Sequence, residues 1–259
     1  MLNNAVLDVI NNRSSVRAFS DKAIEAGKKD AILNSAFRSP TAGAQMLYTI
    51  LDITDQEVKD KLAVSCDDQP FIAKAPLVLI FLADYQRQYD YYLASGAEDL
   101  CQLGGREMRL PGEGDFLLAA NDAIIAAQST VIAAESLGIA SCYIGDILEK
   151  YEFHKALFDL PEYTFPVTML CFGYPKGAYP RKKQVPRYEP EYILHQNTYR
   201  RFEPGKLAGM TLPLEEMGPV HYLGQAENYG QHTFLRKFDT DFSREMTRSV
   251  RKALENWSR

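Results

Sequence analysis

Cysteine is scarce in this chain. Four occur in 259 residues, at Cys66, Cys101, Cys142 and Cys171, and none forms a C-x-x-C pair. Thiols spaced so widely argue against a zinc site or a disulfide framework and fit a reducing cytoplasm. An excess of positive charge is also missing. With 29 Lys and Arg against 34 Asp and Glu, the net charge is −5. That excludes a general nucleic-acid-binding surface but leaves room for a local basic pocket. No apolar run reads as membrane-spanning. The opening residues, MLNNAVLDVI, lack the basic start and long apolar stretch of a signal peptide. The expectation is a cytoplasmic protein with neither nucleic acid nor membrane as partner. Repeats and low-complexity segments are absent too. What remains is an ordinary globular composition, 46% hydrophobic and 24% charged, long enough to bury a sizeable core.

Periodicity then sets the elements. Ala5, Val6, Val9 and Ile10 give a short helical face ending near Asn11 and Asn12. A second helix starts at Ala26 and is stopped by Pro40. LYTILDI (47–53) reads as a strand, and Thr54 and Asp55 would cap a helix through Leu62. APLVLIFLAD (75–84) is a continuous apolar run, as expected of a strand buried on both faces. Residues 85–115 are polar, tyrosine-rich and marked by glycines and Pro111, which predicts an insertion, at least partly loop. Residues 116–138 are apolar nearly all round and rich in alanine, so a buried helix ending at Gly138 is expected. Strands at 139–146 and 165–175 flank a helix at 147–158. Near the end, Met246, Val250, Leu254 and Trp257 share one helical face behind a possible Ser243 cap. This pattern predicts one domain over 1–259, with the insertion and a C-terminal extension from 199. The fold class expected is α/β (α+β), a mixed sheet with helices on both faces.

Three short segments carry chemistry. NNRSSVRAFS (11–20) puts Arg13, Ser14, Ser15 and Arg17 in one turn after the first helix. Guanidinium forks and hydroxyls suit a phosphate, yet the same residues suit a solvated surface loop. RSPTAGAQMLY (38–48) sets small residues, Ala42, Gly43 and Ala44, between a helix and a strand, where a flat ligand has room to approach. GIASCYIGDI (138–147) ends a strand in a glycine turn. Each segment alone also reads as a plain turn.

Their order along the chain resembles the nitroreductase family of flavoproteins. NRSSVRAF is similar to the family's opening Arg-x-Ser-x-Arg/Lys-x-Phe segment. SPTAGAQMLYTI and AAESLGIASCYIGDI are similar to its next two, and VPRYEPEYILHQNTYRRF resembles the Lys-Pro-Arg segment of the NADPH-dependent, oxygen-insensitive branch. The likeness runs from about residue 4 to about residue 202, and weakly into the last helix.

The resemblance implies a homodimer with FMN at each of two subunit interfaces, reduced by NADPH or NADH. It also implies a small-molecule acceptor, a nitroaromatic or a quinone. Arg13, Ser15 and Arg17, with Ser14 in the same loop, match the residues that hold the flavin phosphate and ribityl chain. Arg187 matches the arginine that closes over the phosphate. Tyr143, Ile144 and Gly145 match the strand end facing the flavin ring, and Ala42 to Ala44 the small turn beside it. Lys74 falls loosely where a polar residue meets the pyrimidine edge.

Departures stand beside these matches. Ala44 and Met46 replace the usual asparagine and glutamine. Val185 replaces a lysine for which Lys183 is the nearby substitute, and Asp146 replaces a common glycine. No catalytic side chain is implied, because the flavin carries the electrons, and His195 reads as structural. The insertion lies over the flavin's open face with its tyrosines stacking on a flat acceptor, or is a surface excursion remote from the site; the C-terminal tail would reach the partner. The alternatives are a flavoprotein of the same fold with a different reaction, such as dehalogenation or flavin fragmentation, and a non-catalytic FMN-binding protein.

Overall fold

Two continuous apolar runs supply the middle of the sheet. The computed structural model describes residues 4–177, 179, 184–218 and 220–258. In it β1 (Tyr48–Asp52), β2 (Leu77–Asp84), β3 (Ala140–Ile144) and β4 (Thr164–Gly173) form one sheet in the order β1-β2-β4-β3. The expected helix-flanked α+β class holds, but the strand sense corrects the expectation of a mixed sheet. All three ladders are antiparallel, and the parallel component is a single bridge, Ser15 to Ser141. Continuous apolar strands also suit a parallel sheet. Here they reflect helices on both faces and not strand direction. The register slips between Phe81 and Leu82, where Pro166 faces Leu82. A residue without an amide proton is tolerated at such a bulge.

The two faces carry different helices. On one, Val78, Ile80, Leu82, Met169 and Cys171 pack against Leu62 of α3 (Gln56–Ser65) and Ile72 of α4 (Pro70–Ala73). The Asp55 side chain caps α3 by accepting from the Glu57 amide at 2.8 Å. On the other, Leu79, Phe81, Leu170 and Phe172 meet α2 (Ala26–Phe37) and α7 (Glu113–Ser136). Ala123, Ala126, Ala127 and Ala134 of α7 are fully buried, and their small side chains let the helix lie close to the strands. The four cysteines are free and buried.

Helix α7 keeps an apolar stripe on its outer side. Leu117, Leu118, Ile124 and Ile125 are exposed in the single chain. By length and composition α7 is also long and apolar enough to cross a membrane, which no run was expected to be. Its alanine side is committed to the sheet. Helix α1 (Ala5–Asn12) buries none of its residues, and Val6 and Ile10 face outward. A groove of about 580 Å³ lies along α1 and α7, lined by Val6, Val9, Gln128, Ile132 and Ala133 among others.

The insertion is more helical than expected. It forms α5 (Gln86–Ala94) and α6 (Ala97–Leu103) before an extended stretch leads into α7. Its tyrosines are mostly spent on packing. Tyr85 is buried, Tyr89 packs edge-on against Tyr163 at 5.7 Å, and Tyr92 joins the same cluster, while Tyr91 is the one left well exposed. The expected 147–158 helix begins late: α8 spans Tyr151–Leu157, after a left-handed Lys150.

The described residues group into two compact units, Met1–Arg181 with Glu245–Arg259, and Lys182–Arg244. The end of the chain belongs to the first. Trp257 of the turn after α12 (Asp241–Leu254) is buried between Phe116 and Tyr163 of its own chain, so this last stretch does not reach outward as expected. The second unit holds α9 (Pro204–Leu207), α10 (Leu212–Glu215), α11 (Tyr229–Thr233) and the start of α12. There Thr240, not Ser243, caps α12 by accepting from the Ser243 amide at 3.3 Å. His195 accepts from the Arg200 amide at 3.1 Å and packs between Tyr199 and Phe202, the structural role expected of it.

The segment after α1 is laid on the sheet's β3 side. Val16 donates to the Ser141 carbonyl at 3.0 Å, Ser20 to the Tyr174 carbonyl at 2.8 Å, and Lys176 to the Ala18 carbonyl at 2.9 Å. Gly173 makes this contact possible, since a Cβ there would sit 2.8 Å from the Phe19 ring and from Pro76. Gly173→Ala should therefore push Phe19 off the sheet and destabilise the fold by about 1–3 kcal/mol, as overpacking does. Urea unfolding of the variant checks this, and an unchanged midpoint would contradict it.

Candidate functional site

The corner where this segment meets β3 gathers the first predicted residues. Arg13, at the end of α1, is half-buried, Ser14 is buried and Arg17 is exposed. Cys142 is the hub. Burial pushes its thiol above the ordinary range, while Arg17, Arg13 and a hydrogen bond from Ser15 pull the other way. Arg13, Ser15 and Arg17 thus all bear on the middle of β3. Tyr143 follows, its hydroxyl raised to about 12 by burial against a weaker pull from Arg13.

Unmet hydrogen-bonding capacity concentrates here. Arg13 Nη1, Ser14 Oγ and Ser141 Oγ are buried and have no hydrogen-bond partner among the described residues. A buried donor without a partner costs about 1–3 kcal/mol, so several in one corner mark a place built for an acceptor-rich guest. A phosphate supplies oxygens to all of them, and these donors fit the phosphate end of a flavin nucleotide.

Ile144 is buried at the end of β3, and Gly145 is exposed with open space where a side chain would project. Asp146, the residue that stands where glycine is common, accepts from the Gln69 side-chain amide at 2.8 Å. Behind it Glu149 is buried, with Oε1 unpartnered among the described residues. Burial and the neighbouring Asp146 push its carboxyl up to about 7.

The small turn lies elsewhere. Ala42–Ala44 form a 3₁₀ turn before β1 in which Gly43, Ala44 and, just beyond, Met46 all have left-handed backbones. Such conformations disfavour residues with a Cβ, so the turn needs outside support. Asp122 of α7 gives it, accepting from the Ala42 amide at 2.9 Å and the Leu47 amide at 3.1 Å. The insertion adds two more ties. Gln45 donates to the Tyr92 hydroxyl at 2.6 Å, and Arg87 donates to the Met46 and Tyr48 carbonyls.

Lys74 stands apart from both groups. It is exposed after α4, on a shallow depression of about 270 Å³ that it shares with Asp60, Asp68 and Ala73. Arg187 belongs to the second unit, where it donates to the Val185 carbonyl at 2.8 Å. Lys183 lies outside the described residues.

Comparison with known proteins decides the family. The model of the Nitroreductase family matches residues 10–174. The chain belongs to the Nitroreductase family. It is 30% identical over 198 residues to the FMN reductase (NADPH) of Bacillus subtilis, covering 76% of this chain and 75% of that one. It is 27% identical over 231 residues to the oxygen-insensitive NADPH nitroreductase of Salmonella typhimurium, covering 88% and 87%. Among solved structures it resembles B. megaterium NfrA2, with a TM-score of 0.79, 26% identity and 99% of each chain covered. In this Nitroreductase family chain, sequence reasoning missed Asp122, Gln69, Glu149 and Tyr179. A carboxylate inside the otherwise apolar FLLAANDAII was the available signal for Asp122, since a buried acid needs a partner.

Two outcomes follow. Asp122→Ala strands two amides and should cost about 1–3 kcal/mol for each that stays dry. Chemical unfolding reads this, and a loss within error would mean water replaces the carboxylate. For Glu149, the folded pKa of about 7 exceeds the ordinary carboxylate value of 4.5. The folded chain therefore keeps a proton that the unfolded chain has lost, and this stabilising contribution fades as pH rises from 4.5 toward 7. Glu149→Gln should be the more stable protein at pH 8, with the difference shrinking at pH 5. Parallel melting curves at both pH values would refute this.

Proposed function

We propose that this member of the Nitroreductase family is an NAD(P)H-dependent FMN oxidoreductase that passes electrons to a small acceptor such as a nitroaromatic or a quinone. The observation that carries the reading is the set of buried, unpartnered donors at Arg13 and Ser14, beside the open backbone at Gly145. The names of the B. subtilis and S. typhimurium relatives support the cofactor and reductant. Bound FMN would supply the two-electron transfer from NAD(P)H to the acceptor. The chain's own part is to hold the phosphate with Arg13, Ser14, Ser15 and Arg17, and to set the Tyr143–Gly145 backbone against the ring. No side chain need act as nucleophile or base, and the reaction stays open to acceptors of different shape.

The working form is a homodimer in this reading. The Ser141 corner pairs through Phe172 to Leu77, whereas the Ala42–Ala44 turn enters β1 at Tyr48, which pairs with Ala83. The two groups sit at diagonal corners of the sheet. Strand spacing and rise put them roughly 25 Å apart, farther than one flavin spans. A second copy brings its turn to the first copy's corner. The apolar stripe on α7 and the bare face of α1 supply a surface that soluble monomers seldom leave open. Lys74 is a further candidate to meet the ring edge. The whole of 1–259 acts as one functional domain in the cytoplasm.

Purified protein should be yellow, and NADPH or NADH should bleach it under anaerobic conditions. A colourless protein that takes up no FMN contradicts the reading. A yellow protein that neither nucleotide bleaches makes it a flavin binder or an enzyme of different chemistry, which the apolar Ala44 and Met46 would then explain. Arg17→Ala should weaken FMN binding on the order of tenfold to a hundredfold, as expected for loss of a hydrogen bond to a charged group. Riboflavin, which has no phosphate, should bind both proteins alike. Equal weakening of the two ligands would assign Arg17 to the fold instead.

A further inference from the structure

Glu135 and Tyr179 lie against the phosphate corner: Glu135 falls in the AAESLGIASCYIGDI stretch with no role yet assigned to it, and Tyr179 lies outside every segment that pointed to the corner. The Tyr179 hydroxyl donates to Glu135 Oε1 at 2.5 Å and accepts from the Ser14 amide at 3.2 Å. Glu135 sits at the end of α7, its other oxygen buried and unpartnered among the described residues. Arg13 is close enough to draw the Glu135 carboxyl down against the upward push of burial. Arg13 Nη1 nevertheless remains unpartnered, and the two side chains form no ion pair among those described. A half-buried cation and a half-buried carboxylate, each with one buried atom unpartnered, lie near each other without forming an ion pair among the described residues.

The tyrosine accounts for this arrangement. It occupies one carboxylate oxygen and ties it to the Ser14 backbone, so Glu135 is held short of Arg13. Freed from that tie, the carboxylate would swing onto the guanidinium, because an unpaired charge in a low-dielectric place takes the nearest opposite charge. The fork offered to a phosphate would then be filled from within the chain.

We propose that Tyr179 and Glu135 are positioning residues of the phosphate corner: Tyr179 holds Glu135 off Arg13 and so keeps the guanidinium open for a phosphate monoester. The proposal rests on the flavin reading above, but it concerns the phosphate end alone. It assigns the choice between a phosphorylated and an unphosphorylated flavin to residues that do not themselves touch the ligand.

The test is a set of binding titrations on the full-length apoprotein with FMN and riboflavin as the two probes. Tyr179→Phe should weaken FMN about tenfold, the scale of one hydrogen bond to a charged group. Riboflavin should be unaffected. Glu135→Gln keeps an oxygen for Tyr179 but removes the charge, so FMN should bind at least as tightly as to wild type. The deciding protein is Tyr179→Phe with Glu135→Gln, in which no carboxylate remains to quench Arg13. FMN affinity should return to the wild-type value. A loss that persists in the double variant overturns the proposal, as does equal weakening of FMN and riboflavin by Tyr179→Phe. If wild type binds neither probe, the flavin reading itself has failed, and this result is distinct from both.

Discussion

Val16 donates its amide to the Ser141 carbonyl, and through that bond the segment after the first helix becomes part of the sheet. The site depends on this attachment. It brings Arg13, Arg17 and the Ser15 hydroxyl near Cys142 in the middle of β3, and it leaves the Ser14 and Ser141 hydroxyls buried without hydrogen-bond partners among the described residues. Gly173 makes room for the Phe19 ring that pins the far end. Had the segment been a free surface loop, its cations would be solvated and mobile. Fixed to a strand, they are held in place at a partly dry corner, as the proposed phosphate site requires.

A second constraint acts on the opposite corner. The turn before β1 adopts left-handed backbone at Ala44 and Met46 as well as at Gly43, and it is supported from outside by Asp122, Tyr92 and Arg87. The insertion thus braces a turn through specific hydrogen bonds. Its tyrosines do not simply project as a stacking surface, because three of the four pack into the cluster around Trp257. The diagonal placement of the two corners connects fold to assembly. In the reading proposed above, pieces this far apart are completed by a second copy.

Much of this was legible in the sequence, for physical reasons that differ between segments. The strands at Leu77–Asp84 and Thr164–Gly173 were visible because a continuous run of branched and aromatic residues has few other uses. Their antiparallel sense was not, since burial on both faces erases the alternation that distinguishes the two kinds of sheet. The Arg13–Arg17 loop could be read as a socket only together with the segments that follow it. Asp122 and Glu135 were hidden in a helix whose composition announced burial, and only coordinates show which backbone amides or hydroxyls a buried acid serves. Tyr179 was invisible for another reason: its partners Ser14 and Glu135 are distant in sequence, and no local pattern marks a contact across 165 residues. Composition alone does not divide helix α7 into faces: its alanines meet the sheet, while Leu117, Leu118, Ile124 and Ile125 lie on the outer side of the single chain.

The central claim is that the corner built by Arg13, Ser14 and Ser141 receives the phosphate of a flavin nucleotide. A crystal structure of the full-length protein grown with FMN tests it most directly. The account predicts phosphate oxygens within hydrogen-bond distance of Arg13 Nη1 and Ser14 Oγ, with the ring against the Gly145 backbone and the Ala42–Ala44 turn of a second copy. A phosphate bound elsewhere, or a ring contacting the Ala42–Ala44 turn of the same chain as its Arg13, would contradict it.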